Sequence, residues 1–251
     1  MTSTEPALFI GIDTLANHRP FSYVALGVDS RPVAMGQGRQ AEMLAYLSGQ
    51  RAAWVALNGP LRPPAGVMAR VEVRESLSSP PKPGQWLEAR QCDYELETRG
   101  LRGLRVAANP ADCPPWMRRG FGIVALLERL GFQPFPGENP LQYLEVQAEA
   151  SYRTLMGLAP YEASTLEGRM QRQFVLRQQA LNVPDPMNFL EEITPYKLMH
   201  GLLPVEQIYS PYILNAWIAA YSAWLACHRP QRVACLGAPE EGMLVLPLPA
   251  E

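Results

Sequence analysis

A single carboxylate marks the most distinctive position in this sequence, the end of a short apolar run near the N-terminus. The run ALFIGI at 7–12 is followed directly by Asp13. An apolar run of this length, bounded by turn signals, predicts a buried strand. Open α/β sheets bind their ligands beyond the carboxyl ends of the strands. We therefore expect Asp13 to stand at a ligand site.

Basic residues form a second group with a chemistry of its own, because guanidinium groups suit phosphate oxygens. Arg169, Arg172 and Arg177 recur along a predicted helix, away from its predicted core stripe. They are candidate nucleic-acid-binding residues, and a solvated helix face is the other interpretation. The histidines form no catalytic arrangement with serine or cysteine, and the four cysteines lack the spacing of a zinc site.

The composition favours a globular protein without a general basic surface. The 251 residues are 47% apolar, which is enough for a large core. The formal charge is −2 and the pI is about 6.0, so a nucleic acid would have to meet a local patch. The sequence has no apolar run of membrane-spanning length and no secretory pattern at 1–6. We expect a cytoplasmic protein with reduced thiols and no membrane role.

The N-terminal part of the chain predicts a β-β-β-α-β order. Strands are predicted at 7–13, 21–28, 31–36 and 53–57, and a helix at 40–48. The turn pair Asp29-Ser30 favours an antiparallel meander of the first three strands. Gly49 ends the helix, and Asn58-Gly59-Pro60 is the turn signal after the fourth strand.

The stretch 61–114 breaks this regular order, and we interpret it as an irregular insertion within a single domain, 1–251. Its prolines forbid a continuous helix and confine strands to sheet edges. A short strand is predicted at Val67–Arg74 and a mobile loop at Ser78–Gly84. An insertion of this length either covers a site as a lid or offers an interaction surface.

The rest of the chain predicts further α/β units. Helices are predicted at 116–130, 149–156, from 165 onward, at 188–202 with a kink at Pro195, and at 211–227; strands are predicted at 141–147 and 243–248. In the helix that begins at Thr165, we expect Leu166, Met170 and Phe174 to form the core face. The helix 211–227 is strongly apolar and must pack on the sheet.

The order of these elements is that of a ribonuclease H-like fold, and the residues resemble one family along most of the chain. This is domain-of-unknown-function family 429, a family of predicted ribonuclease H-like nucleases. The matching segments are Gly11-Ile12-Asp13, Ala56 to Leu61, Cys92-Asp93 through Arg99-Gly100, Leu144 to Ala150, Glu167-Gly168-Arg169 with Arg172, Leu214-Asn215-Ala216, and Glu241 to Pro247. The expected fold is α/β, with a mixed five-stranded sheet whose first three strands form an antiparallel meander, flanked by helices.

The resemblance implies a catalytic site of acidic residues at strand ends and on a late helix. Two divalent ions about 4 Å apart require several anionic ligands there. The family positions are kept at Asp13, Glu145 and Glu149, which are the candidate metal ligands. Asn58 and Asn215 stand where the family has aspartate. Each amide removes a full negative charge, so we expect at most a weak single site for Mg²⁺ or Mn²⁺.

The expected function is that of a divergent ribonuclease H-like protein with a degraded metal site and weak or no phosphodiesterase activity. One alternative is an active metal-dependent nuclease that uses Asp13 with Glu145 and either Glu42 or Glu149. Ribonuclease H-like enzymes often take a carboxylate from the helix that here carries Glu42. Another alternative is a non-catalytic module that binds nucleic acid, a protein partner or a second copy of the chain. A sugar-kinase-like phosphotransferase is disfavoured, because 16–18 supplies no glycine turn for a phosphate.

Overall fold

The structure of the protein is a computed structural model that describes residues 8–14 and 20–250. The strands are β1 Leu8–Asp13, β2 Phe21–Leu26, β3 Pro32–Gly38, β4 Ala53–Asn58, β5 Gln133–Pro134, β6 Leu141–Val146, β7 Val233–Leu236 and β8 Leu244–Pro247. The helices are α1 Gln40–Ser48, α2 Val71–Ser76, α3 Gln91–Thr98, α4 Pro115–Arg129, α5 Ala148–Met156, α6 Leu166–Gln178, α7 Met187–Glu191, α8 Pro195–Met199 and α9 Pro211–His228. Of the positions used in the sequence argument, 1–7 and 16–18 lie outside the described residues.

The sheet formed by the described residues is mixed, as expected for a ribonuclease H-like α/β fold. Its strand order is β3-β2-β1-β4-β6-β8-β7, and β5 pairs with β6. The pairs β1–β2 and β2–β3 are antiparallel, which confirms the meander, while β1, β4 and β6 run parallel. The sheet has eight strands, so the predicted number of five was too low. The two residues of β5 and the four of β7 are too few for apolar alternation to show.

The pairing register assigns the side chains at the strand ends to opposite faces of the sheet. Asp13 is aligned with Asn58, and Asn58 with Val146. Because side chains alternate along a strand, these three point to one face, and Glu145 points to the other. The apolar cores match this division, since one lies between the sheet and α5, α6 and α9, and the other against α1 and α4.

The helix α9 packs directly on β1, as its apolar sequence predicts. Gly11 permits the close approach, because a Cβ at this position would lie 2.0 Å from the carbonyl oxygen of Ala216. The backbone contact places Asn215, the residue before Ala216, near Asp13 at the end of β1. The packing of one glycine thus determines which side chain of α9 reaches the strand end.

The stretch 61–114 is more regular than the sequence suggests. The predicted strand Val67–Arg74 is wrong: Val67–Ala69 forms one 3₁₀ turn and α2 follows it. The β-branched residues of this segment resemble a strand pattern. The side chains of α2 are not buried, however, so apolar alternation gives a strand no advantage in burial here. The helix α3 was not predicted, and its Cys92 and Leu96 pack against the strands β7 and β8. The stretch therefore closes the far edge of the sheet.

Two predictions for the C-terminal helices also need correction. In α6, Thr165 caps the helix through the backbone N–H of Gly168, as expected, but the buried face carries Arg172, Val175 and Leu176. Phe174, predicted to be in the core, is 41% exposed. Pro195 does not kink one helix but begins a separate one, α8, because Thr194 caps it and proline fits a first turn.

Candidate functional site

Three of the predicted site residues come together at the carboxyl end of β1. Asp13 is fully buried, and its Oδ1 accepts a hydrogen bond of 2.7 Å from Nδ2 of Asn58 on the neighbouring strand. Asn215 on α9 donates to the same oxygen from 3.4 Å. A carboxylate and two amides from three separate elements thus form one cluster, which we call the Asp13 cluster.

The orientation of the Asn58 amide is determined by its other contacts. Its Oδ1 accepts a hydrogen bond of 2.9 Å from the backbone N–H of Ala148, the first residue of α5. The NH₂ group must therefore face Asp13. The hydroxyl of Thr14 donates to the Asn58 carbonyl over 2.7 Å and secures the strand end. Around the Asp13 oxygen the protein presents hydrogen-bond donors, whereas a cation would require acceptors.

Glu145, predicted to be a metal ligand together with Asp13, does not lie in the Asp13 cluster. It lies on the opposite face of the sheet and is fully buried. Its two oxygens accept hydrogen bonds of 2.7 and 2.9 Å from the guanidinium of Arg90, and the backbone N–H of Leu61 donates to it from 3.0 Å. The guanidinium of Arg90 thus occupies both carboxylate oxygens that would coordinate a metal ion.

Arg90 is the centre of this second cluster, which we call the Arg90 network. Its guanidinium also binds both oxygens of Asp93, at 2.9 and 3.1 Å. Burial acts to lower the pKa of Arg90, but the surrounding negative charges outweigh it and raise that pKa well above its usual range. Burial raises the pKa of Glu145, and the charge of Arg90 opposes this effect. Arg90 therefore remains protonated and neutralises the buried carboxylates.

The Arg90 network and a further buried carboxylate, Glu241, tie the stretch 61–114 to the rest of the fold. Glu241 is fully buried and accepts hydrogen bonds from the backbone N–H groups of Ala65 (2.8 Å) and Gln91 (2.9 Å). Asp93 accepts a third backbone N–H, that of Leu104, at 3.1 Å. These bonds fasten both halves of the stretch to buried carboxylates. Opening this part as a lid would leave those carboxylates without their donors.

The remaining acidic candidates are engaged elsewhere. The side chain of Glu149 is 59% exposed and forms a salt bridge of 2.6 Å with Arg172. Glu42 accepts a hydrogen bond of 2.7 Å from the backbone N–H of Arg39, so it caps the start of α1. Both side chains thus serve local structure.

The three arginines predicted to bind nucleic acid do not form a basic surface. Arg172 is 1% exposed and bonds the carbonyls of Tyr161 and Gly168 as well as Glu149. Arg169 bonds the carbonyls before α9, and partial burial lowers its pKa. Arg177 pairs with Asp185 at 3.1 Å. The sequence reveals their spacing but not these partners, which for Arg172 are all internal to the protein.

The buried position of Arg172 predicts a structural role that can be tested directly. We expect Arg172→Gln to lower the free energy of unfolding by about 2 kcal/mol or more, because two carbonyls and Glu149 lose a charged donor. Arg177→Gln is the matched control on the same helix, and its exposed pair should contribute less than about 1 kcal/mol. Urea denaturation measures both changes. Equal effects would contradict a structural role for Arg172.

Arg90, Asp93 and Glu241 are the polar residues that the sequence argument did not single out. A signal was present, because Cys92-Asp93 and Glu241-Gly242 belong to segments on which the resemblance to a family was based. The sequence did not show that Arg90 is buried and that its guanidinium pairs with a carboxylate from a distant part of the chain. The residues of the two clusters therefore do not fit a two-metal centre.

Similarity to known proteins does not assign a function to these two clusters. Within 8–14 and 20–250, no group of three or more histidine, cysteine, aspartate or glutamate side chains is arranged to hold a metal ion. In the same residues, no helix has both the length and the apolar character to cross a membrane. No protein-family model, curated protein or solved structure matches this chain.

Proposed function

We propose that this chain is a ribonuclease H-like protein whose metal centre has been replaced by internal donors, so that it has weak or no phosphodiesterase activity. Its place in domain-of-unknown-function family 429 is part of the same proposal. One observation carries the argument: the NH₂ group of Asn58, fixed by Ala148, donates to Asp13 over 2.7 Å. To bind a metal ion beside Asp13, residue 58 would have to present an oxygen acceptor in place of this NH₂ donor.

An active nuclease built from Asp13, Glu145 and either Glu42 or Glu149 is the weaker proposal. Glu145 is held by Arg90 on the other face of the sheet, and Glu42 caps α1. Recruiting either residue would require breaking a buried ion pair or a helix cap. Breaking a buried ion pair costs about 3–5 kcal/mol. Binding without catalysis is the role that remains, with nucleic acid, a protein or a second copy as the partner.

The test is to titrate Mn²⁺ into the wild-type protein and Asp13→Ala by calorimetry, and to assay both for cleavage of single- and double-stranded RNA and DNA. We expect no saturable heat from either protein and no metal-dependent cleavage above the level of Asp13→Ala. Cleavage that requires Mn²⁺ or Mg²⁺ and disappears in Asp13→Ala would contradict the proposal. Circular dichroism of both proteins controls for misfolding of the variant.

A further inference from the structure

A cavity of about 330 Å³ opens where α5 begins, beside the loop that follows α3. Its walls include Arg102 and Arg105 from the loop, and Gln147, Glu149 and Arg153 from α5 and its start. This volume lies in the range of small-molecule sites in proteins. The first turn of α5 also lines it, and helix N-termini carry positive partial charge.

The cavity has an excess of positive charge. Arg102, Arg105 and Arg153 are exposed, and in the described part of the chain none of them has a carboxylate within salt-bridge distance. The single acid in the wall, Glu149, is already neutralised by Arg172 at 2.6 Å. Three uncompensated guanidinium groups around one cavity favour an anionic ligand with several oxygens, such as phosphate.

Gln147 adds a second, independent observation. It lines the cavity, is 8% exposed, and donates from Nε2 to the carbonyl of Arg102 over 2.9 Å. That bond identifies the other amide atom as the oxygen. Among the described residues this Oε1 has no hydrogen-bond partner. A buried acceptor without a donor is unfavourable. The surface of Oε1 itself is closed in this structure, so a ligand hydroxyl would satisfy it once the Gln147 side chain turns toward the cavity.

We propose that this cavity binds a small phosphate monoester that also carries hydroxyl groups. The phosphate contacts Arg102, Arg105 and Arg153, and a hydroxyl donates to Oε1 of Gln147. The proposal concerns a different set of residues from the Asp13 cluster. It therefore holds whether or not the protein hydrolyses phosphodiesters.

The experiment uses ribose 5-phosphate and inorganic phosphate as probes in calorimetric titrations of the full chain. We expect ribose 5-phosphate to bind more tightly than inorganic phosphate, by about two- to tenfold, which is the contribution of one neutral hydrogen bond. Arg153→Gln should weaken both probes by at least about tenfold, because a charged hydrogen bond is lost. Gln147→Met should remove only the preference for ribose 5-phosphate.

The control variant is Arg129→Gln, an exposed arginine at the end of α4, outside the cavity wall. It should leave both affinities unchanged, so a loss shared with Arg153→Gln would indicate general charge attraction and overturn the proposal. Absence of binding by the wild-type protein at millimolar concentrations of both probes would also overturn it. Since Arg153 is exposed, its variant is expected to fold, which keeps the test valid if Gln147→Met does not.

Discussion

The double variant Asn58→Asp/Asn215→Asp is expected to become stable only in the presence of a divalent cation. Asn58 and Asn215 now donate to Asp13 from 2.7 and 3.4 Å, and both donors would become carboxylates. Charges this close repel by on the order of 4 kcal/mol at a typical effective dielectric. In EDTA the melting temperature of the double variant should be lower than that of the wild type. A cation at a hundred times its Kd should restore about 2.7 kcal/mol.

The matched control is Asn58→Ala/Asn215→Ala, which removes the same two donors without adding charge. Its melting temperature should fall as well, but addition of Mn²⁺ should not restore it. Thermal denaturation with EDTA, Mg²⁺ and Mn²⁺ separates the two variants. A wild-type protein that gains as much from Mn²⁺ as the double aspartate variant would show that the gain does not depend on the two added carboxylates, contrary to our proposal.

Arg90→Met is expected to cause the other large effect, a loss of about 3–5 kcal/mol in unfolding free energy near neutral pH. The substitution leaves Asp93 and Glu145 buried at 1% and 0% exposure without their cation. Side-chain volume is nearly kept, so the loss reflects charge rather than a cavity. Chemical denaturation of the variant and the wild type measures the difference.

The loss in Arg90→Met should become smaller in acid. Burial already raises the pKa of Glu145 in the folded protein, and Arg90 counteracts that rise. Without Arg90 the folded pKa lies still higher above the unfolded value, so the folded state binds the proton more tightly. Such a carboxyl stabilises the fold below its unfolded pKa, and this stabilisation disappears as pH rises through the folded pKa. Unfolding free energies at pH 5 and 7.5 test this sign.

A second substitution provides the control for that interpretation. In Arg90→Met/Glu145→Gln the buried carboxyl of Glu145 is absent, so a smaller part of the loss should depend on pH. If the single and double variants changed equally between pH 5 and 7.5, Glu145 would not be the titrating group. Asp93→Asn in the same background then identifies the remaining carboxylate.

Local patterns predict that Asp13 and Asn58 follow the ends of two apolar strands and that the helix 211–227 packs on the sheet. That these two residues and Asn215 meet in one cluster was expected from the family resemblance alone. The bounds of α1 and α4 and the meander of β1 to β3 also follow from local patterns, since glycine ends and turn pairs are short-range signals.

Glu145 could not be placed from the sequence, because its face depends on one residue of register. Whether a strand-end carboxylate joins a neighbour depends on the pairing of β4 with β6, and local patterns do not determine that pairing. Its partner was equally hidden. Arg90 lies 55 positions away in a proline-rich stretch, and nothing local distinguishes a guanidinium that will be buried from one that stays in water.

The double ion pair of Arg90 constrains how this sequence can vary among its descendants. A change at Arg90 alone leaves the two anions Asp93 and Glu145 inside the protein. A shorter chain without 61–114 also lacks the backbone N–H of Leu61, which donates to Glu145, and that of Ala65, which donates to Glu241. Inheritance should therefore couple the positions: a lineage that deletes this stretch is expected to carry a neutral residue in place of Glu145, and one that keeps the acid should keep the arginine.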